Sequence, residues 1–150
     1  MPAGASERLT DSFLQLTRGV SALHRSGHLH RDIKPSNVVF VRGRAKLADV
    51  GLVANLSDAN SFVGTTGYIP PEGPGTAQAD IYSLGKVLYE ISTGKDRCEF
   101  PALPTFLGET AAEGERLVEL NEIVLKACRN DPRERYASAA QMQSDLLVLQ

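Results

Sequence analysis

The strongest constraint on how this chain folds lies near its beginning, where Leu9, Phe13, Leu16, Val20 and Leu23 recur at spacings of four, three, four and three residues. That spacing returns an apolar side chain to one face of an α-helix at every turn, so the segment reads as a helix with one side buried. Gly27 is placed to stop it. The helical signal recurs downstream. A second helix covers about Ala77 to Ser92, with Ile81, Leu84, Leu88 and Ile91 on its buried face, Thr76 as its cap and Gly94 at its end. Pro101 and Pro104 mark a linker or short turn. Leu117, Leu120, Val124 and Ala127 mark a third helix, and Ser138 followed by Gln141 has the capping-box spacing of a fourth, with Met142, Leu146 and Leu149 inward. Only between the first two helices does the pattern change. Val38 to Val41 and Ala45 to Ala48 are short β-type runs, and Arg42-Gly43-Arg44 between them reads as a hairpin turn. The predicted fold class is mostly α, a helical bundle with one small β-hairpin.

Composition narrows the function. A length of 150 residues suits one domain, and 42% apolar with 23% charged residues is ordinary globular composition. Sixteen basic against eighteen acidic residues give a net charge of −2, which carries neither the basic footprint of a nucleic-acid binder nor a polybasic membrane anchor. The longest apolar runs, Val38–Val41 and Leu146–Leu149, hold four residues each, far below the roughly 20 of a membrane span. The stretch Met1 to Ser6 lacks the charged and apolar regions of a signal peptide. Cys98 and Cys128 have no CxxC partner and read as free thiols in a reducing compartment, which implies a cytoplasmic location.

The chemistry is concentrated around the hairpin. His30-Arg31-Asp32-Ile33-Lys34-Pro35-Ser36-Asn37 precedes it and Asp49-Val50-Gly51 follows it. From Asp49 to Glu72 the chain is rich in Gly, Ser, Thr, Asn and Pro, a long irregular segment of the kind that is functional or disordered in compact domains. Two carboxylates, an amide and a lysine at the mouths of one tight hairpin make the donor set of a metal–phosphate site: oxygens hold Mg²⁺ and an ammonium offsets phosphate charge. His24, His28 and His30 near Asp32 raise the alternative of a zinc site, but only the first pair would share a helix face and Gly27 breaks that helix before His28. Asp32 and Asp49 taken singly could also be turn carboxylates, the commonest use of Asp in loops.

These residues in this order resemble the C-terminal lobe of a eukaryotic-type serine/threonine protein kinase, most closely the bacterial members. His30, Arg31, Asp32 and Asn37 match HRD-x-x-x-x-N, and Lys34 stands where the serine/threonine branch keeps its lysine. Asp49-Val50-Gly51 occupies the DFG position. Gly64 to Glu72 resembles the P+1 loop and APE motif, Asp80 the aspartate opening the central buried helix, and Arg135 the arginine that pairs with the APE glutamate. The resemblance runs from about Leu9 to Leu149. It implies one partial kinase domain over residues 1–150, comprising catalytic loop, activation segment and following helices, that uses ATP and Mg²⁺ and acts on a protein substrate.

The roles that the resemblance implies are these. Asp32 would accept or orient the substrate hydroxyl proton, Lys34 would offset charge on the transferred phosphoryl, and Thr65 would touch both. Asn37 and Asp49 would ligate Mg²⁺. Lys34, Ser36, Asn37, Val39 and Asp49 would line the nucleotide, with Val39 as the floor beneath adenine. Arg31 would link the catalytic loop to a phosphate on Ser57 or Ser61. His30, Asp80 and the Glu72–Arg135 pair would be structural. Three positions depart from the family pattern: Val50 replaces the DFG phenylalanine, Pro70 the APE alanine, and His28 an apolar residue. The larger departure is that nothing in residues 1–150 matches the glycine-rich loop, the β3 lysine or the αC glutamate of the upper lobe. An upper lobe supplied by upstream sequence is the partner this implies. Two classes of function follow: a kinase fragment with little activity as the isolated chain, or a kinase-derived module that binds a partner without catalysis. The segment Ala54–Val63, sparse in apolar anchors, is expected to be mobile.

Overall fold

A computed structural model describes residues 4–48, 67–105 and 110–150. Asp49-Val50-Gly51, Ser57, Ser61, Thr65 and the whole of Ala54–Val63 lie outside these described residues, and with them the expectation of a mobile segment. The described chain forms α1 (Ala5–Arg25), a hairpin of β1 (Val38–Val41) and β2 (Arg44–Leu47), α2 (Ala77–Thr93), α3 (Ala111–Ala127) and α4 (Ala139–Val148). Short 3-10 turns occupy Pro35–Asn37, Arg97–Glu99 and Pro132–Glu134. This is the predicted mostly helical architecture with one antiparallel hairpin, consistent with a kinase-like C-terminal lobe.

α1 starts earlier than its leucine stripe. Its first turns bury Ser6 and Thr10, and Thr17 is buried further on. These polar residues are tolerated because their hydroxyls are used within the helix: Thr10 donates to the Ser6 carbonyl at 2.8 Å and Thr17 to that of Phe13 at 2.7 Å. The helix ends at Arg25, two residues before Gly27. Gly27 has φ +87° and donates to the His24 carbonyl at 3.0 Å, while His28 donates to that of Leu23 at 3.1 Å. This crossed pair is a Schellman cap, which needs its left-handed residue just beyond the last helical turn.

The hairpin differs from its sequence reading by one residue. The turn is Arg42-Gly43 alone, and Arg44 belongs to β2, paired with Val41. Both turn residues have positive φ, +53° and +78°. That geometry matches the right-handed twist of the flanking strands, which a three-residue link would not require. Ala45 faces α1 and is buried, and its N–H donates to Gln15 Oε1 at 2.6 Å. The hairpin is thereby fastened to α1.

α2 corrects a second expectation. Its stripe suggested one buried face, yet Ala79 to Tyr82 and Leu84 to Tyr89 are all buried, and Ile91 is only half-buried. A helix apolar nearly all round belongs in the middle of a structure. α1 packs on α4, β2, α2 and α3, while α3 also covers α2. Caps fix the boundaries: Thr76 Oγ1 accepts from Ala79 N–H at 3.0 Å, Gly94 closes α2 at φ +72°, and Thr110 Oγ1 accepts from Glu113 N–H at 3.1 Å. α3 therefore starts well before Leu117. At α4 the Ser138 hydroxyl accepts from Gln141 N–H at 3.1 Å, but Gln141 Oε1 accepts from Ala137 N–H at 2.9 Å, so the box closes one residue further out.

Packing of α2 on α3 depends on Gly85, where a Cβ would lie 2.5 Å from Cys128 Sγ and 2.9 Å from Ala127 Cβ. Gly85→Ala gains about 1 kcal/mol of helix propensity but meets an overpacking cost of roughly 1–3 kcal/mol. The clash should win. We expect the urea midpoint of Gly85→Ala to fall, with a larger fall for Gly85→Val, whereas an unchanged or raised midpoint would show that α3 yields freely.

Candidate active site

The turn between α1 and the hairpin is built around one buried carboxylate. Asp80, on the first turn of α2 and 2% exposed, accepts from His30 N–H at 2.8 Å through Oδ2 and from Arg31 N–H at 2.9 Å through Oδ1. His24 Nε2 also lies 2.9 Å from Oδ2. A carboxylate is an acceptor only, so His24 donates through Nε2. Arg31 is held at φ +71°, a left-handed conformation that costs a non-glycine residue about 1–2 kcal/mol. Two hydrogen bonds to a charged acceptor, each worth roughly 1.5–3 kcal/mol, outweigh that cost.

His30 fixes the other side of the turn. Its Nδ1 accepts from Asp32 N–H at 3.2 Å and its Nε2 lies 2.6 Å from the Ala48 carbonyl. The neutral tautomer protonated at Nε2 satisfies both contacts, so this packed imidazole joins Asp32 to the end of β2. Ala48 N–H donates to the Asn37 carbonyl at 2.7 Å, which draws the two mouths of the hairpin together. The three histidines thus serve three different partners, His24 on Asp80, His28 on the Ser26 hydroxyl at 3.0 Å and His30 on Ala48.

On this support the expected residues meet. Asp32 Oδ2 lies 3.4 Å from Lys34 Nζ and 3.4 Å from Asn37 Nδ2, and Asn37 Nδ2 also donates to the Asp32 carbonyl at 2.6 Å. Asp32 and Lys34 are partly open, their side chains 22% and 30% exposed. Because Asn37 spends its Nδ2 on Asp32, its Oδ1 is the acceptor left for a ligand. An amide oxygen is a hard donor of the kind that Mg²⁺ prefers, so among the described residues Asn37 Oδ1 fits that ion. Ser36 is exposed on the 3-10 turn, and Val39 is 43% exposed on β1. Asp49 and Thr65 fall outside the described residues.

Below the site, Arg135 is 0% exposed at its side chain and uses its whole guanidinium. It donates to both Glu72 oxygens at 2.6 and 2.9 Å, and to the carbonyls of Arg129, Gln78 and Asn130. The paired glutamate and arginine therefore meet as a two-pronged contact. This bond to Arg135 is the main reason that the Glu72 carboxyl sits below its ordinary value, with burial opposing it.

Sequence reasoning missed a cluster at the far end of α2. Tyr68 donates its hydroxyl to Glu90 Oε1, Arg97 N–H donates to Glu90 Oε2 at 2.9 Å, and the Arg97 guanidinium carbon lies 4.6 Å from the Tyr68 ring centroid. Burial, followed by the bond to Glu90, pushes the Tyr68 phenol up to about 12. No short-range signal announces it, since its three members lie 22 and 7 residues apart.

Comparison with known proteins agrees with this geometry. The sequence matches the family model for the protein kinase domain over residues 4–147. It is 30% identical to the serine/threonine-protein kinase PknB of Mycolicibacterium smegmatis over 95% of this chain and 26% of that protein. It is 34% identical to the Mycobacterium leprae protein of the same name over 83% of this chain and 23% of that one. Identity to serine/threonine-protein kinase PknL of Mycobacterium tuberculosis is 32%, over 85% and 37% respectively. The chain belongs to the protein kinase family and is of the bacterial serine/threonine type. It spans about a quarter of the length of the first two relatives. Among the described residues no helix is long and apolar enough to cross a membrane.

The Glu72–Arg135 contact makes a pH prediction. A carboxylate whose native pKa is depressed stabilises the fold above its unfolded value, and that contribution disappears as pH falls through the native value. Glu72→Gln should therefore lose roughly 1–2 kcal/mol at pH 7, a figure kept modest because Glu72 is partly solvated. The gap to wild type should close below about pH 4, in the range where an ordinary carboxyl protonates. Urea midpoints at pH 7 and pH 3 check this, and a gap of equal size at both pH values would contradict it.

Proposed function

We propose that residues 1–150 are the lower, substrate-binding half of a serine/threonine protein kinase domain, acting in transfer of a phosphoryl group from ATP to a protein hydroxyl. The observation that carries this reading is the meeting of Asp32, Lys34 and Asn37 on one turn that Asp80 and His30 hold rigid. Phosphoryl transfer passes through a loose transition state, so positioning and charge matter more than a strong base. Asp32 receives the proton of the serine or threonine hydroxyl as the new O–P bond forms and the bond to the departing ADP breaks. Lys34, beside it, offsets negative charge on the phosphoryl in flight. Asn37 Oδ1 and the Asp49 carboxylate are the residues that would hold Mg²⁺, which when bound neutralises phosphate charge.

Around this centre Ser36 and Val39 line the nucleotide, with the exposed Val39 as the surface beneath adenine. Thr65, which lies outside the described residues, would by the family pattern touch Asp32 and Lys34 and favour an aliphatic hydroxyl. Arg31 would link the catalytic loop to the activation segment, where a phosphate on Ser57 or Ser61 would suit its planar fork. His30, Asp80, Glu72 and Arg135 position the rest. The free thiols Cys98 and Cys128 suit a reducing, cytoplasmic setting for this part of the protein.

The upper-lobe motifs that give the family a lysine for the α- and β-phosphates and a roof over adenine have no counterpart in the sequence of residues 1–150. We therefore expect the isolated polypeptide to bind ATP–Mg²⁺ more weakly than about 100 μM, roughly 5.5 kcal/mol, and to transfer little phosphate. Calorimetric titration checks this, and tighter binding would contradict it. When an upper lobe is present, Asp32→Ala should abolish turnover while leaving nucleotide affinity nearly unchanged. Wild-type turnover in that variant would remove Asp32 from the mechanism and favour the non-catalytic binding module instead.

A further inference from the structure

α2 turns Lys86 and Glu90, one helical turn apart, toward the loop that follows it. Both backbone polar groups of a single loop residue are held there. Glu90 Oε2 accepts from Arg97 N–H at 2.9 Å, and Lys86 Nζ donates to the Arg97 carbonyl at 3.4 Å. Lys86 is itself only 8% exposed, with its ammonium 4.1 Å from the Phe100 ring centroid and 5.6 Å from that of Tyr82. Asp96 caps the same turn through Cys98 N–H at 2.9 Å. With its backbone fixed this way, Arg97 lays its side chain over Gly67 and Tyr68.

The contact with Gly67 and Tyr68 is close. Arg97 Nη1 lies 3.5 Å from the Tyr68 hydroxyl, and its guanidinium stacks on that ring. At Gly67, φ is +96° and a Cβ would fall 2.3 Å from Arg97 Nε and 2.5 Å from its Cδ. Glycine is needed there on both counts, since any side chain would displace the arginine. The same stretch, Tyr68 to Pro70, abuts Arg31 to Ile33 across a gap of only about 10 Å³. On its other side an open cleft of about 520 Å³ runs from Pro35 past Tyr68 and Glu90 to Gly94, Lys95 and Asp96.

We infer that Arg97 is a positioning residue for the protein substrate: it sets the wall Gly67–Tyr68 that separates this cleft from Asp32, so that an extended polypeptide lying in the cleft presents its hydroxyl at one fixed height. The inference rests on the phosphotransfer reading for its purpose, though not for its geometry. Each Glu90 oxygen already accepts one hydrogen bond, from Tyr68 and from Arg97, so the carboxylate ties the wall to α2. The cation stacked on this aromatic face adds to the anchors Tyr68 already has, its carbonyl accepting from Ser83 Oγ and its hydroxyl donating to Glu90, and the same arginine side chain closes over Gly67.

Two measurements decide it. In ¹⁵N relaxation of the 150-residue chain, Gly67 to Ile69 should be as rigid as α2, with order parameters near 0.85. In Arg97→Ala and Arg97→Met they should fall below about 0.6 while Ile81 to Tyr89 stay unchanged, and Arg97→Lys should keep most of the rigidity. Unchanged order in Arg97→Ala, or in Arg97→Met with the charge gone, would overturn the inference whatever the protein catalyses. In the phosphotransfer assay with an upper lobe present and a serine peptide as probe, Arg97→Ala should raise KM about tenfold with kcat within about threefold, and Arg97→Lys should restore it. An equal loss in kcat with KM unaltered would also overturn it. Absence of turnover in the wild-type protein itself would instead count against the phosphotransfer reading, and the relaxation data would still decide the role of Arg97.

Discussion

A single carboxylate taken out of water orders the turn on which the rest of this structure depends. Asp80 is buried, yet no lysine or arginine pairs with it among the described residues. It is satisfied by two backbone N–H groups of the His30–Arg31 turn and by His24. A buried charge without partners is costly enough to unfold a small domain, so the carboxylate and the turn stabilise one another. The strained φ of Arg31 lies just past these two N–H groups and sets the direction in which the chain leaves the carboxylate. Asp32 comes next in the chain and inherits a fixed direction.

α2 extends that logic along its length. Its first turn holds the Asp32 turn through Asp80, and Arg135 reaches its start through the Gln78 carbonyl while gripping Glu72. Its last turns hold Arg97 and Tyr68 through Lys86 and Glu90. Polar side chains inside an apolar helix are usually a liability; here Asp80, Lys86 and Glu90 are each satisfied by the polar groups of a neighbouring loop. The helix is a rod to which irregular segments are tied, and those segments carry the chemistry-bearing residues.

The sequence made some of this visible for definite reasons. Helix period and caps are local, so α1, α2 and α4 could be read from Leu9, Thr76, Gly94 and Ser138, with errors of a few residues where hydroxyls such as Thr10 and Thr17 satisfy themselves inside the helix. The two-residue turn was missed because Arg42 gives no hint of a positive φ. The convergence of Asp32, Lys34 and Asn37 was legible because they are neighbours in the chain. The Glu72–Arg135 contact, 63 residues apart, was legible only through the family pattern. The Tyr68–Glu90–Arg97 cluster and the bond from His24 to Asp80 were not legible, since pairing across tens of residues leaves no periodic trace in a single sequence.

The most direct test of the account is amide hydrogen exchange at His30 and Arg31, compared between wild type and Asp80→Ala. If the carboxylate orders the turn, both amides are protected in the wild type. Its removal should speed their exchange by roughly 10–100-fold, the equivalent of about 1.4–2.8 kcal/mol, while amides in the middle of α4 change far less. Equal protection of His30 and Arg31 in the two proteins would mean that the turn holds its shape without Asp80, and the central claim would be wrong.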